Sequence, residues 1–152
     1  MSRRSGQPKA DDIRIPTFWD KAMRRELVEL YFDGMDIEML GWHFDMKAFE
    51  IYRELISLLL GVKELEEDPS VPRFRKRWEY LEDSELIRLY RRSVPVEQIA
   101  KQLGRDVPGV AMRLINSWWV TCPPKVANTL GLNEDDVEIS TEHGEEKSLL
   151  SS

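Results

Sequence analysis

Apolar residues between positions 78 and 119 recur at intervals of three and four, the spacing that places side chains on one face of an α-helix. The first stretch of this pattern predicts one helix through Leu81, Leu86, Leu89 and Tyr90. The pattern then breaks for four residues. Pro95 suits the first turn of a second helix, from about Pro95 to Leu103, because the backbone donor that proline lacks is not needed there.

A third helix is predicted from about Asp106 to Trp119. Gly104 can adopt the left-handed backbone that closes the preceding helix, and the Pro123 and Pro124 pair sets the end of the third. Its inward face is expected to carry Val107, Val110, Ala111, Leu114, Ile115 and Trp118. The predicted fold class is therefore all-α.

The chain matches itself without a gap when it is shifted by 59 positions, with residues 19–56 falling on residues 78–115. The identical pairs are mostly apolar or aromatic: Trp19/Trp78, Glu26/Glu85, Leu27/Leu86, Leu30/Leu89, Tyr31/Tyr90, Glu38/Glu97, Leu55/Leu114 and Ile56/Ile115. Because these are the positions that a shared core would fix, the repeat predicts two diverged copies of one three-helix unit.

The first copy differs from the second in its turn and in its third helix. Gly41 replaces Ala100, and Asp45 and Met46 replace the Gly104 and Arg105 pair. The third helix, predicted from about Asp45 to Leu60, has more apolar residues than one stripe can hold, including Phe49, Tyr52, Leu58 and Leu59. We expect the extra face to pack on the second copy or on another protomer; a larger local core is the alternative.

Two short helices joined by a turn that contains glycine form a helix-turn-helix. In that arrangement the second copy carries Trp78, Glu82, Asp83, Leu86, Tyr90, Val96, Ile99, Ala100, Leu103, Gly104, Arg105, Val110, Arg113 and Leu114. Through these residues, over positions 78–120, the chain resembles the Myb/SANT group and its bacterial and phage homeodomain-like relatives. The resemblance implies a third helix that enters the major groove of DNA.

The outward residues of the second copy's third helix decide whether DNA is a plausible partner. They are predicted to be Arg105, Asp106, Gly109, Met112, Arg113, Asn116 and Ser117. Arg113 could bind guanine and Asn116 adenine through paired hydrogen bonds. Phosphate contacts are expected from Arg73, Arg75, Lys76 and Arg77, with Arg91 and Arg92 as further candidates. The predicted DNA site comprises Arg73, Arg75, Lys76, Arg77, Arg105, Met112, Arg113 and Asn116.

Charge is unevenly distributed along the chain. The formal net charge is −6, and residues 131–152 account for all of it, because residues 1–130 contain 21 basic and 21 acidic side chains. We predict a flexible basic arm at 1–16, a diverged helix-turn-helix unit at 17–61, a linker with a basic cluster at 62–77, a second unit at 78–120 and an acidic, disordered tail at 121–152. The arm could reach the minor groove of DNA or serve only as a solubilising tail.

No constellation of residues indicates catalysis, a cofactor or a metal. The glycines are isolated, and His43, His143 and Cys122 lack metal-ligand spacing. His43 beside Trp42 is interpreted as packing. We therefore predict no enzyme activity and no small-molecule substrate. No apolar run approaches the roughly 20 residues of a membrane span, and no secretion signal is recognised, so we expect a cytoplasmic or nucleoid-associated protein, nuclear in a eukaryote.

Two functions remain open. The first is a DNA-binding transcriptional or nucleoid regulator that uses the second copy, while the first copy braces it or forms a homodimer. The second is a SANT-like adaptor that binds proteins, and no nucleic acid, through the apolar face that includes Phe49, Tyr52, Leu58 and Leu59.

Overall fold

The computed structural model describes residues 19–132, and all regular secondary structure in that range is helical, as predicted. The basic arm at 1–16 and the tail beyond residue 132 lie outside the described residues. The helices in chain order are α1 Lys21–Phe32, α2 Ile37–Phe44, α3 Ala48–Leu60, α4 Tyr80–Arg91, α5 Val96–Leu103, α6 Val107–Asn116 and α7 Pro124–Leu130. We call α1 to α3 the first helix group and α4 to α6 the second helix group.

The helix bounds of the two groups recur at the offset of 59 residues that the sequence shows. Helices α1, α2 and α3 each begin 59 residues before α4, α5 and α6, and the first two pairs also end at that offset. The turn before the third helix is also shared. Asp45 and Gly104 both adopt a left-handed backbone, with φ of 56° and 69°.

Local chemistry fixes where several of these helices begin. Asp20, Asp36 and Asp106 precede α1, α2 and α6, and each side chain accepts a hydrogen bond from the backbone N–H three residues later. Such a cap satisfies one of the donors that the first turn of a helix leaves without a partner. Helix α4 instead begins with a reciprocal pair, in which the Glu79 and Glu82 side chains each accept from the other's backbone.

The two groups pack against each other through their third helices, α3 and α6. Ile51, Leu55 and Ile56 of α3 are fully buried. Tyr31 of α1 reaches across the same boundary, where its hydroxyl donates to the Ile115 carbonyl at 2.6 Å. Helix α3 therefore contacts the second helix group, although Phe49, which was counted in its extra apolar face, is about half exposed.

The end of α6 differs from the prediction. The helix ends at Asn116 rather than Trp119, and Trp118 has a left-handed backbone with φ of 54°. Trp118 is 39% exposed instead of turned inward. Its ring stacks on Tyr31 with centroids 5.7 Å apart, and its Nε1 donates to the Tyr31 carbonyl at 2.9 Å. These contacts hold the segment after α6 against α1.

Helix α7 corrects the prediction that disorder begins at residue 121. The pair of Pro123 and Pro124 was expected only to end the preceding helix, but a proline also suits the first position of a new one. The new helix packs against α1, and its Ala127 and Leu130 are buried. Residues 121–132 therefore belong to the fold. Within residues 19–132, no helix has the length and apolar character needed to cross a bilayer.

Candidate functional site

Arg105, which was predicted to face outward toward DNA, is buried, with only 4% of its surface exposed. Its Nε and Nη2 atoms both donate to the Glu82 carboxylate at 2.8 Å. The guanidinium also lies over the Trp78 ring, 4.0 Å from the ring centroid. A guanidinium that is paired with a carboxylate and stacked on an aromatic ring stabilises the fold. The prediction that Arg105 is an outward residue is wrong.

Glu82 is the acceptor at the centre of this network. Besides Arg105, it accepts hydrogen bonds from Arg73 at 2.9 and 3.2 Å and from the Glu79 backbone N–H at 3.1 Å. The Arg105 hydrogen bonds, with those of Arg73 and the backbone, lower the pKa of Glu82 to about 2. Glu82 is therefore charged at neutral pH, and it joins α4 to the turn between α5 and α6.

The basic segment ahead of α4 is fixed to that same turn. Arg105 donates to the backbone carbonyls of Arg73, Lys76 and Arg77 at 3.2, 2.7 and 3.0 Å. The Arg73 N–H in turn donates to the Gly104 carbonyl at 2.8 Å. Because the carbonyls of Lys76 and Arg77 are held inside, their side chains lie exposed beside the turn.

Asp106 adds a further attachment. Besides capping α6, it accepts a hydrogen bond from the Asp68 backbone N–H at 3.1 Å, and it is itself buried. Asp106 was predicted to face outward, and that expectation is also wrong. Residues 68–77 are thus held at both ends by the two residues that precede α6.

The two predicted base readers on α6 already have intramolecular partners. Arg113 donates from Nε and Nη2 to Asp83 at 3.0 and 2.7 Å, and this pairing raises the pKa of its guanidinium. The Asn116 side-chain oxygen accepts from the Tyr52 hydroxyl at 2.7 Å. Met112 is half-buried beside them. Reading a base would require Arg113 or Asn116 to exchange its partner.

The predicted phosphate-binding residues are divided between the network and the surface. Arg73 is half-buried and bound to Glu82, whereas Arg75, Lys76 and Arg77 are exposed. Arg75 pairs with Glu67 at 2.9 Å, but both side chains are more than half exposed, so the pair is easily exchanged. We call Arg75, Lys76 and Arg77 the basic surface.

Charge differs strongly between the two halves of the described chain. Residues 19–70 contain six basic and thirteen acidic side chains, a net charge of −7, whereas residues 71–132 contain eleven and six, a net charge of +5. Exposed Lys101 on α5 belongs to the positive half, although the predicted DNA site did not include it. A summed charge by region would have found this division from sequence alone.

A second candidate surface lies on the first helix group. An open groove of about 480 Å³ is lined by Asp36, Ile37, Glu38, Gly41, Trp42, Met46, Ala48, Tyr52 and Asn116. Trp42 is 74% exposed, and Met39 and Phe49 are each about half exposed. His43, which was interpreted as packing, does lie edge-on to Phe44, but it is exposed and 2.6 Å from the Glu26 carboxylate.

The four predicted protein-interface residues do not share one surface. Phe49 is exposed under the Arg53 guanidinium, and Tyr52 lines the groove. Leu58 is half-buried, and Leu59 lies in the core, where no partner can reach it. On the first helix group, the available apolar surface is therefore the groove with Trp42, rather than the end of α3.

No known protein family, curated protein or solved structure matches the chain. No group of three His, Cys, Asp or Glu side chains able to hold a metal occurs between residues 19 and 132.

Proposed function

We propose that this chain is a tandem pair of helix-turn-helix units, similar to the Myb/SANT group, and that its second unit binds double-stranded DNA. The observation that carries the proposal is the net charge of +5 on residues 71–132, beside −7 on residues 19–70. A polyanion such as DNA is attracted to the positive residues 71–132 and repelled by the negative residues 19–70. The recurring helix bounds and shared turn support the tandem units.

Binding in this proposal is dominated by phosphate contacts. The basic surface lies beside the turn between α5 and α6, and the buried Arg105 orders its backbone. Ordering before binding reduces the conformational entropy lost when a phosphate is engaged. In this proposal the protein acts by binding rather than by catalysis. A partner of DNA is located at the nucleoid or in the nucleus.

Base discrimination in this proposal is weak. The bonds from Arg113 to Asp83 and from Tyr52 to Asn116 occupy the two side chains that would read bases. A good paired contact to a base contributes about 1–3 kcal/mol of discrimination. Breaking an existing charged pair would offset much of that gain, so the net preference for a sequence is small.

A salt titration of the full chain against two duplexes of unrelated sequence tests the proposal. We expect similar affinities for both duplexes, and a fall of log K with log salt whose slope is about −2.7 if three phosphates are engaged. Fluorescence anisotropy of labelled duplexes at several salt concentrations gives both quantities. Absence of binding at low salt would refute DNA as the partner. A strong preference for one duplex would show that Arg113 or Asn116 reads bases after all.

A second candidate function is protein binding at the groove, which the exposure of Trp42 favours. Large exposed aromatic side chains beside a concave apolar surface are typical of protein interfaces. Among the described residues, the acidic side chains of Asp36 and Glu38 line the groove, and no Lys or Arg does. A protein segment with apolar and basic side chains fits this surface.

A further inference from the structure

Large apolar side chains are left exposed in two separate places. On the first helix group, Trp42 lines the groove and is 74% exposed. On the second helix group, Tyr80 and Leu81 are the first two residues of α4, and they are 82% and 77% exposed. We call these two residues the apolar pair. Adjacent apolar side chains that a fold leaves this open are typical of surfaces that contact another protein.

The two places lie in parts of the chain with opposite charge. Residues 19–70, which supply all but one of the described groove-lining residues, carry a net charge of −7. The apolar pair lies within residues 71–132, which carry a net charge of +5. Opposite charges favour an encounter between the groove of one molecule and the apolar pair of another. A contact of groove with groove would instead bring two negative surfaces together.

The acidic side chains near the apolar pair do not cancel its positive surroundings. Glu79, Glu82 and Asp83 each lie within ion-pair distance of an arginine, at 3.5, 2.8 and 2.7 Å. Their charges are therefore balanced within the second helix group and the segment ahead of it. The exposed basic surface ends only three residues before Tyr80. The apolar pair is thus presented from a positive part of the protein.

We propose that a second copy of this chain occupies the groove, with its Tyr80 and Leu81 packed against Trp42. Both places are exposed in one molecule, so their contact joins two molecules. The groove also contains Asn116 and the Tyr52 hydroxyl, where the phenol of a docked tyrosine finds a hydrogen-bond partner. The inference rests on the groove as a protein-binding surface. It does not rest on DNA binding, because the contact uses the apolar pair and not the basic surface.

The contact joins unlike surfaces. A copy that has docked its apolar pair still has an open groove, so association of this kind forms rings or open chains. Few side chains take part, so the contact is smaller than that of a stable dimer, and the association should depend on concentration. The opposite charges of the two parts add an attraction that salt weakens.

Sedimentation velocity of the full chain over a wide range of protein concentration tests the association. The average sedimentation coefficient should rise with concentration. Tyr80→Ser with Leu81→Ser should raise the dissociation constant by at least about 10²-fold, because burying each such side chain contributes more than a tenfold factor. Trp42→Ala should raise it by at least about tenfold for the same reason. All three side chains are well exposed, so these variants keep their cores.

A mixture of these two variants tests which surfaces meet. The Trp42→Ala chain keeps an intact apolar pair, and the chain with Tyr80→Ser and Leu81→Ser keeps an intact groove. Neither should associate with itself at concentrations where the wild type does. Together they should form a 1:1 complex with the affinity of a single wild-type contact, and nothing larger. Recovery in the mixture also shows that both variants are folded.

The electrostatic part of the contact has a matched pair of variants. Glu38→Lys reverses a charge at the groove, and Glu97→Lys makes the same change at the repeat-equivalent position on α5. Both residues are exposed in the first turn of their helices. Glu38→Lys should weaken the association and reduce its dependence on salt, whereas Glu97→Lys should not weaken it.

Four results would overturn the proposal. Sedimentation as a monomer at every concentration would leave the groove to a different protein. Association that survives Tyr80→Ser with Leu81→Ser but not Trp42→Ala would indicate a groove-to-groove dimer. Failure of the mixed variants to associate, or equal weakening by Glu38→Lys and Glu97→Lys, would also contradict the contact. These samples contain no DNA, so their outcome is separate from that of the salt titration with duplexes.

Discussion

Replacing Glu82 with alanine should lower the free energy of unfolding by about 3–5 kcal/mol, because the substitution leaves the buried Arg105 guanidinium without its counter-charge. The same change removes the acceptor for Arg73 and one half of the cap of α4. Urea unfolding followed by circular dichroism measures the loss. The fall should appear in the transition midpoint, with the slope of the transition unchanged.

Glu85→Ala on the same helix is the matched control. Glu85 pairs with Arg88 on the surface, and both side chains are well exposed, so its removal should cost less than about 1 kcal/mol. Losses of similar size for the two variants would show that the Arg105 network does not hold the basic segment in place. The structural role assigned to Arg105 would then be wrong.

Lowering the pH should weaken the same network and destabilise the fold. The pKa of Glu82 is about 2 in the folded protein against an ordinary value of 4.5, so its charged form stabilises the fold. That contribution is complete above about pH 4.5 and is lost as the pH falls from 4.5 toward 2. In Glu82→Ala this part of the acid dependence should be missing.

Neutralising Arg75, Lys76 and Arg77 together should weaken binding to every duplex by about 10²-fold to 10³-fold at 0.1 M salt. Three exposed positive charges beside the turn between α5 and α6 are then removed. The slope of log K against log salt should flatten by about 0.9 for each phosphate that the variant no longer neutralises. Anisotropy titrations at several salt concentrations measure both effects.

The control for this triple change is neutralisation of Lys21, Arg25 and Lys47, three exposed bases of the first helix group. The net charge of the protein changes equally in the two variants, so a long-range effect of net charge would weaken binding equally in both. A local contact would weaken it only in the first. Equal losses would mean that the basic surface does not touch DNA.

Much of the backbone architecture could be predicted from the sequence, because it depends on local patterns. The offset of 59 residues correctly matched α1 with α4 and α2 with α5 along the sequence. The caps at Asp36 and Asp106 follow ordinary helix chemistry. Helix α3, in which apolar residues are in surplus, contacts α6 of the second helix group. Periodicity and capping depend on residues that are close in sequence, so they can be recognised from the sequence alone.

The candidate site was less predictable, because it depends on contacts between distant residues. Arg105 was expected outside because the inward face of the third helix was assigned to its apolar residues, but Glu82 lies 23 positions earlier and pairs with it. The exposure of Trp42 was not predicted, because only the packed structure shows that the neighbouring Gly41 occupies the buried face of α2. Helix α7 was missed because the proline pair was interpreted only as a helix stop.

The central claim, that the DNA-binding surface lies on the positive part of the chain, residues 71–132, is tested most directly by adding duplex DNA to the isotopically labelled full-length chain and mapping amide shifts. At low salt we expect the largest changes at residues 73–77 and around the turn at Gly104, and little change in α2 and α3. The changes should reverse when salt is added. Shifts concentrated on α2 and α3, or no shifts at low salt, would contradict the proposed function.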